Sequence, residues 1–127
     1  MGSVNDSMHS YVLRDLKNMF SPSEGWEIEI APLCGDYQVS RKRFGTTKRY
    51  PVNVVIAPEI SADDVEGFNA KIITAEAEGL KFDYPIFFVP SGADVTAVPG
   101  DAKVKELKVL KVENGEVLWW KKTHAEN

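Results

Sequence analysis

The sequence predicts an α/β domain with a mixed sheet, in the order α-β-β-β-α-β followed by a C-terminal β-hairpin, with its helices and sheet stacked in two or three layers. Three observations carry this expectation. Apolar residues recur at helical spacing near the N-terminus, a capped amphipathic segment lies between two continuous apolar runs, and an Asn-Gly pair separates two apolar segments near the C-terminus. The 127 residues, 43% hydrophobic and 27% charged, have the balance of an ordinary globular protein. A chain of this length has room for one core, and two domains would each be too small. Residues 1–127 are therefore expected to form one domain, with loose ends at 1–7 and 123–127.

From Met8 to Phe20 the residues Met8, Val12, Leu16, Met19 and Phe20 fall on one face of a helix. Ser21-Pro22-Ser23-Glu24-Gly25 ends it, because proline cannot continue the hydrogen-bond ladder and glycine accepts unusual backbone angles. Trp26-Glu27-Ile28-Glu29-Ile30 alternates with period two, the pattern of a strand with one wet face. A turn over Pro32 to Asp36 leads into a second strand, Tyr37 to Phe44, and Gly45-Thr46-Thr47 is expected to form the hairpin tip. The chain returns through Lys48-Arg49-Tyr50 into Val52 to Ala57, a β-branched run expected of a central strand covered on both faces.

Pro58 closes that run, and Ser61-Ala62-Asp63-Asp64 has the form of a capping box, so a helix is expected to begin near Ser61. Val65, Phe68, Ile72 and Ala75 make its apolar stripe, and Gly79 suits its C-terminal end. Tyr84 to Val89 is a further apolar run, placed by the helical connection as a parallel neighbour of the third strand. A loop from Ser91 to Lys103 precedes Val104 to Val112 and Val117 to Lys121, joined by Asn114-Gly115, the strongest short hairpin signal. The first arm does not alternate strictly and is expected to contain a bulge or to begin as a short helix.

The longest apolar runs are far shorter than the roughly 20 residues of a membrane span. The N-terminus lacks the basic start and apolar core of a signal peptide, so a cytoplasmic location is expected. Cys34 is the only cysteine, which excludes an intrachain disulfide and agrees with a reducing compartment. The net charge of −4 conceals a strong asymmetry: Arg41, Lys42, Arg43, Lys48 and Arg49 crowd into nine residues without an acid, leaving −9 on the rest of the chain. Charges act within a screening length of about 10 Å, so an anionic partner would meet the protein at this segment.

Over roughly residues 8 to 90 the order of elements resembles the core of the restriction-endonuclease-like PD-(D/E)xK nucleases. Gly35-Asp36-Tyr37 opening the second strand, and the basic hairpin leading into an apolar third strand, carry the resemblance locally. The resemblance implies an acid near the second strand and an acid-x-Lys triplet on the third, holding a divalent metal that activates water. Here the third strand offers Val54-Val55-Ile56-Ala57, without acid or lysine. An inactive or repurposed relative is therefore expected, with no catalytic residue, metal or cofactor assigned. The second reading is a protein-interaction or homodimeric assembly module in which the terminal hairpin and Trp119 or Trp120 form the contact, and the third is a metal-dependent nuclease with an unconventional site around Asp36 and Glu59.

The five cations of the hairpin are the expected nucleic-acid or polyanion contact, arginine supplying forked hydrogen bonds and lysine point charge. The plainer alternative is a solvated hairpin whose charges pair with Glu27 and Glu29. Trp119 and Trp120, followed by Lys121 and Lys122, are the expected interface residues, adjacent on a strand and so on opposite faces, serving packing or a homodimer contact more readily than base stacking. Ser91-Gly92-Ala93-Asp94 lacks the spacing of a phosphate loop, and Asp94 and Asp101 read as turn residues. His9 and His124 stand far apart without zinc-site spacing, and Cys34 has no neighbouring base to activate it.

Overall fold

The apolar spacing at the N-terminus produces helix α1 (Gly2–Met19), which begins six residues ahead of the Met8 expected from the periodicity. The computed structural model describes residues 2–30 and 36–119, and the side chains of residues 10–30 and 36–118. Val12, Leu16 and Phe20 are buried on the inner face of α1 and its exit. A single 3-10 turn at Pro22–Glu24 and Gly25, at φ 95°, reverse the chain into β1 (Glu27–Ile30). Strands β2 (Tyr37–Arg43) and β3 (Thr46–Val54) follow as a hairpin, then helix α2 (Ala62–Ala77) and strands β4 (Ile86–Ser91), β5 (Lys103–Glu113) and β6 (Glu116–Trp119).

The six strands form one mixed sheet in which spatial order equals chain order, β1-β2-β3-β4-β5-β6. β1, β2 and β3 are an antiparallel meander, β4 runs parallel to β3 and β5 parallel to β4, and β6 turns back antiparallel on β5. The β3-α2-β4 connection is thus the anticipated β-α-β unit, and β3 and β4 lie at the centre of the sheet. α2 starts as its sequence dictates. The Ser61 hydroxyl accepts from the Asp64 N–H at 3.1 Å while the Asp64 carboxylate accepts from the Ser61 N–H at 3.0 Å, satisfying two helix-end donors and contributing about 1 kcal/mol.

Two apolar clusters resolve the layering. On one face of the sheet Val12, Leu16 and Phe20 pack with Trp26, Tyr37, Val39, Tyr50, Val52, Ile86 and Phe88. On the other, Val65, Phe68 and Ala75 of α2 pack with Ile60, Phe87 and Val89. Alternate residues of β4 thus serve opposite clusters, which is why its sequence is continuously apolar rather than alternating. The arrangement is three layers, helix on sheet on helix.

Several boundaries differ from the sequence expectation for identifiable reasons. The hairpin tip is Phe44-Gly45 rather than Gly45-Thr46-Thr47. Both tip residues have positive φ, 55° and 78°, a two-residue turn that lets Thr46 and Thr47 pair with Arg43 and Lys42. β3 stops at Val54 instead of continuing to Ala57. Val55 still donates to the Phe88 carbonyl at 2.9 Å before the chain turns toward Pro58 and α2. β1 keeps the alternation only in part: Ile28 is half-buried, but Ile30, at the outer edge of the sheet, is 58% exposed. The expected irregularity in the first arm of the terminal hairpin is a register shift, the partner of Pro90 being Leu107 and that of Ser91 being Lys111. Asn114 and Gly115 form the turn at φ 54° and 78°.

Candidate polyanion-binding hairpin

Register and pleat decide where the five cations go. In the β2–β3 ladder Arg41 pairs with Lys48, Arg43 with Thr46, Lys42 with Thr47 and Ser40 with Arg49. Tyr37, Val39, Tyr50 and Val52 belong to the α1-side cluster, so with period two Arg41, Arg43 and Lys48 continue that face, while Lys42 and Arg49 continue the α2 face. The basic segment therefore presents charge on both sides of a projecting two-stranded ribbon, beyond the part covered by the helices.

The arginines are each engaged with the body of the protein. The Arg41 guanidinium lies over the Trp26 ring at 4.4 Å from its centroid, and its methylenes run beside Gly25. Trp26 itself meets Phe20 edge-on at 4.8 Å and lies tilted against Tyr50 at 5.8 Å, so Arg41 covers one ring of an aromatic cluster. Arg43 Nη2 donates to the Glu24 carbonyl at 3.3 Å. Arg49 Nη1 donates to the Lys81 carbonyl at 3.2 Å, and its backbone exchanges bonds with Asp83, the N–H giving to the carboxylate at 3.0 Å and the carbonyl accepting from the Asp83 N–H at 2.7 Å. This fastens the segment before β4 to β3 at Arg49, ahead of the Val52–Val54 stretch that β4 pairs with. The buried Arg49 Nε–H has no acceptor among the described residues.

Lys42 and Lys48 are exposed. Among the described residues none of the five cations forms an ion pair, and Glu27 and Glu29 do not neutralise them. The ribbon's arginine charges are thus held by a ring face and carbonyls but not neutralised by an ion pair among the described residues. At the tip Phe44 is 98% exposed and flanked by Arg43 and Gly45. Beside it, between the hairpin and the end of α2, a cleft of about 430 Å³ is lined by Gly45, Thr46, Thr47, Lys48, Arg49, Gly79, Lys81 and Asp83. Lys48, Arg49 and Lys81 line it together with one acid, Asp83, whose carboxylate already accepts the Arg49 N–H.

The acids considered for metal chemistry do other work. The Asp36 carboxylate accepts the Val54 N–H at 2.7 Å, and the Asp36 N–H donates to the Val52 carbonyl at 2.8 Å, tying the entry of β2 to the end of β3. Its charge, after burial, helps push the adjacent Tyr37 hydroxyl up to about 12. Glu59 is exposed and forms a short parallel bridge with Asp94. Among the described residues no three His, Cys, Asp or Glu side chains group to hold a metal ion. One engaged aspartate beside an apolar strand end does not fit the donor set of a divalent cation. Asp94 caps its own turn, taking the Thr96 N–H at 2.9 Å and the Thr96 hydroxyl at 2.8 Å, bonds that hold its carboxyl below the usual range. Asp101 is exposed in the turn before β5.

Trp119 ends β6, in register with Leu110, and only its backbone is described. Trp120, Lys121, Lys122, His124, Gly35 and Cys34 lie outside the described residues, and of His9 only the helical backbone is described. Phe44, Lys81 and Asp83 are the residues that sequence reasoning missed. Gly45 between the two cationic segments marked a turn without fixing Phe44 as its first tip residue, whereas the approach of Lys81 and Asp83 to Arg49 is long-range and left no local trace. Among the described residues no helix is long and apolar enough to cross a membrane. Comparison with protein-family models, with curated proteins and with solved structures found no match.

Proposed function

We propose that this protein is a noncatalytic nuclease-like α/β domain that binds nucleic acid or another polyanion through the β2–β3 hairpin, acting in the cytoplasm. The observation that carries the reading is a projecting ribbon with five cations and, among the described residues, no ion pair, on a chain whose remainder is −9. Cations left unneutralised at such density favour a polyanion, which releases counterions as it binds. The nuclease-like part of the reading is supported by the α-β-β-β-α-β element order. Its noncatalytic part is supported by the apolar end of β3 and by the structural use of Asp36.

The test is binding of the folded protein to labelled single-stranded and duplex nucleic acids across a salt series. The informative variant is Lys42→Ala with Lys48→Ala, because both side chains are exposed, whereas removing Arg41 or Arg43 also strips contacts from the fold. Salt-sensitive binding that the double variant weakens supports the reading, and absence of binding at low salt refutes it.

A second reading, self-association through the terminal hairpin, is favoured by one observation: β6 is an outer strand of the sheet and carries Leu118, which is 43% exposed. Concentration-dependent association that survives the Lys42 and Lys48 substitutions distinguishes it.

A further inference from the structure

The two hairpin turns of this chain provide an internal comparison. Phe44-Gly45 and Asn114-Gly115 have nearly the same φ angles, 55° and 78° in the first and 54° and 78° in the second. Asn-Gly is the favoured pair for such a turn, because the short polar asparagine tolerates the left-handed region. A bulky phenylalanine there is a genuine outlier, since its Cβ crowds the following carbonyl. Among the described residues nothing compensates for it: the ring is 98% exposed and contributes to neither apolar cluster. A strained, wholly exposed aromatic residue points to a role outside the fold.

Its surroundings identify the role. Lys42 and Arg43 precede the ring and Lys48 follows shortly after, so the one exposed aromatic of the ribbon is bracketed by cations. We infer that Phe44 is a base-stacking platform, and that the polyanion met by the hairpin is single-stranded nucleic acid. This rests on the reading of the hairpin as a polyanion contact, and it narrows the ligand class. A single ring suffices to stack one unpaired base, an interaction that does not depend on sequence. Insertion into a duplex would first have to unstack a base step. A lipid surface calls for far more apolar area than one ring, since even a full acyl chain gives only marginal anchoring. The cleft beside the tip, lined by Thr46, Thr47, Lys48, Arg49 and Lys81 with the single acid Asp83, gives the adjoining phosphates a net cationic path.

The test compares the wild type with F44N and F44W, using a labelled single-stranded pyrimidine oligonucleotide, an abasic strand of equal length, the corresponding duplex, and vesicles of phosphatidylserine and phosphatidylcholine. F44N is expected to weaken binding to the base-bearing single strand about tenfold, the scale of one lost stack, and to leave abasic binding unchanged. It is also expected to raise Tm, because asparagine suits the turn. F44W is expected to retain binding. Unchanged binding by F44N, equal losses on base-bearing and abasic strands, a lowered Tm, or tighter wild-type binding to duplex each overturns the inference. Vesicle binding that depends on Phe44 while oligonucleotide binding does not reassigns the ring to a lipid surface and also overturns it. If Lys42→Ala with Lys48→Ala abolishes binding that F44N leaves intact, only the stacking role falls. If the wild type binds no nucleic acid at low salt, the polyanion reading falls with it.

Discussion

Replacing Asp36 by alanine removes the acceptor that the Val54 N–H meets at 2.7 Å, at the point where β2 begins and β3 ends. The position is half-buried, so water replaces the lost oxygen only in part. A donor left without its acceptor costs about 1–3 kcal/mol, and a charged acceptor lies toward the upper part of that range, so a loss of about 2 kcal/mol is expected. For a domain of this size that corresponds to a drop in Tm of roughly 8 °C. Asp36→Asn keeps an oxygen in reach of the amide and should lose less than about 1 kcal/mol. Urea denaturation followed by fluorescence measures both variants, with an unchanged m-value certifying that the native and unfolded ensembles are comparable. If Asp36→Ala lies within about 0.5 kcal/mol of wild type, or is more stable, the structural account of this carboxylate is wrong. A gain in stability in particular is the behaviour of an acid held for a ligand at the expense of the fold.

Two further expectations follow from the same contacts. Arg41→Ala loses a cation over the Trp26 face and the packing of its stem, so it should cost about 1–2 kcal/mol, whereas Lys42→Ala should stay within about 0.5 kcal/mol; equal costs in denaturant titrations would contradict the division of labour on the ribbon. The buried Tyr37 hydroxyl is pushed up to about 12 in the folded chain, from an ordinary value of 10.0. The folded state then holds a proton that the unfolded state releases, so its stabilising effect is complete below pH 10 and is lost as the pH rises toward 12. The loss amounts to at most about 3 kcal/mol. Tyr37→Phe should show a shallower decline than wild type in stability measured at steps through this window, and identical slopes would refute the assignment.

Much of the architecture was legible because its causes are local. The capping residues Ser61 and Asp64, the stripe Val65, Phe68 and Ala75, and the Asn114-Gly115 turn each act through neighbours in the chain, and the structure reproduces them. The three-layer arrangement was legible only as one of two options. The sequence of β4 reveals burial on both faces, but not which helix covers which. The five cations could be read as a group, yet their distribution could not. It depends on the β2–β3 register, on the packing of Arg41 against Trp26, and on the docking of the Lys81–Asp83 segment beside Arg49, contacts between residues far apart in sequence. Asp36 illustrates the same limit. Its position before a strand suggested an isolated metal-site acid, while its partner, the Val54 N–H, lies eighteen residues away. Phe44 escaped notice because exposed aromatic residues leave no periodic signal.

The central claim is that the hairpin binds a polyanion by direct cation–phosphate contact, and the slope of binding against salt tests it most directly. Each phosphate neutralised on a single strand contributes about −0.7 to the slope of log K against log salt. The two exposed lysines, Lys42 and Lys48, contribute about −1.4 to the wild-type slope, and each of Arg41, Arg43 and Arg49 that turns from its contact with the fold to a phosphate adds about −0.7, to a limit of about −3.5. Lys42→Ala with Lys48→Ala removes two contacts and should flatten the slope by about 1.4 while leaving the thermal transition in place. A double variant with the wild-type slope, or a wild type that forms no complex at low salt, would contradict the assignment of this hairpin as the binding site.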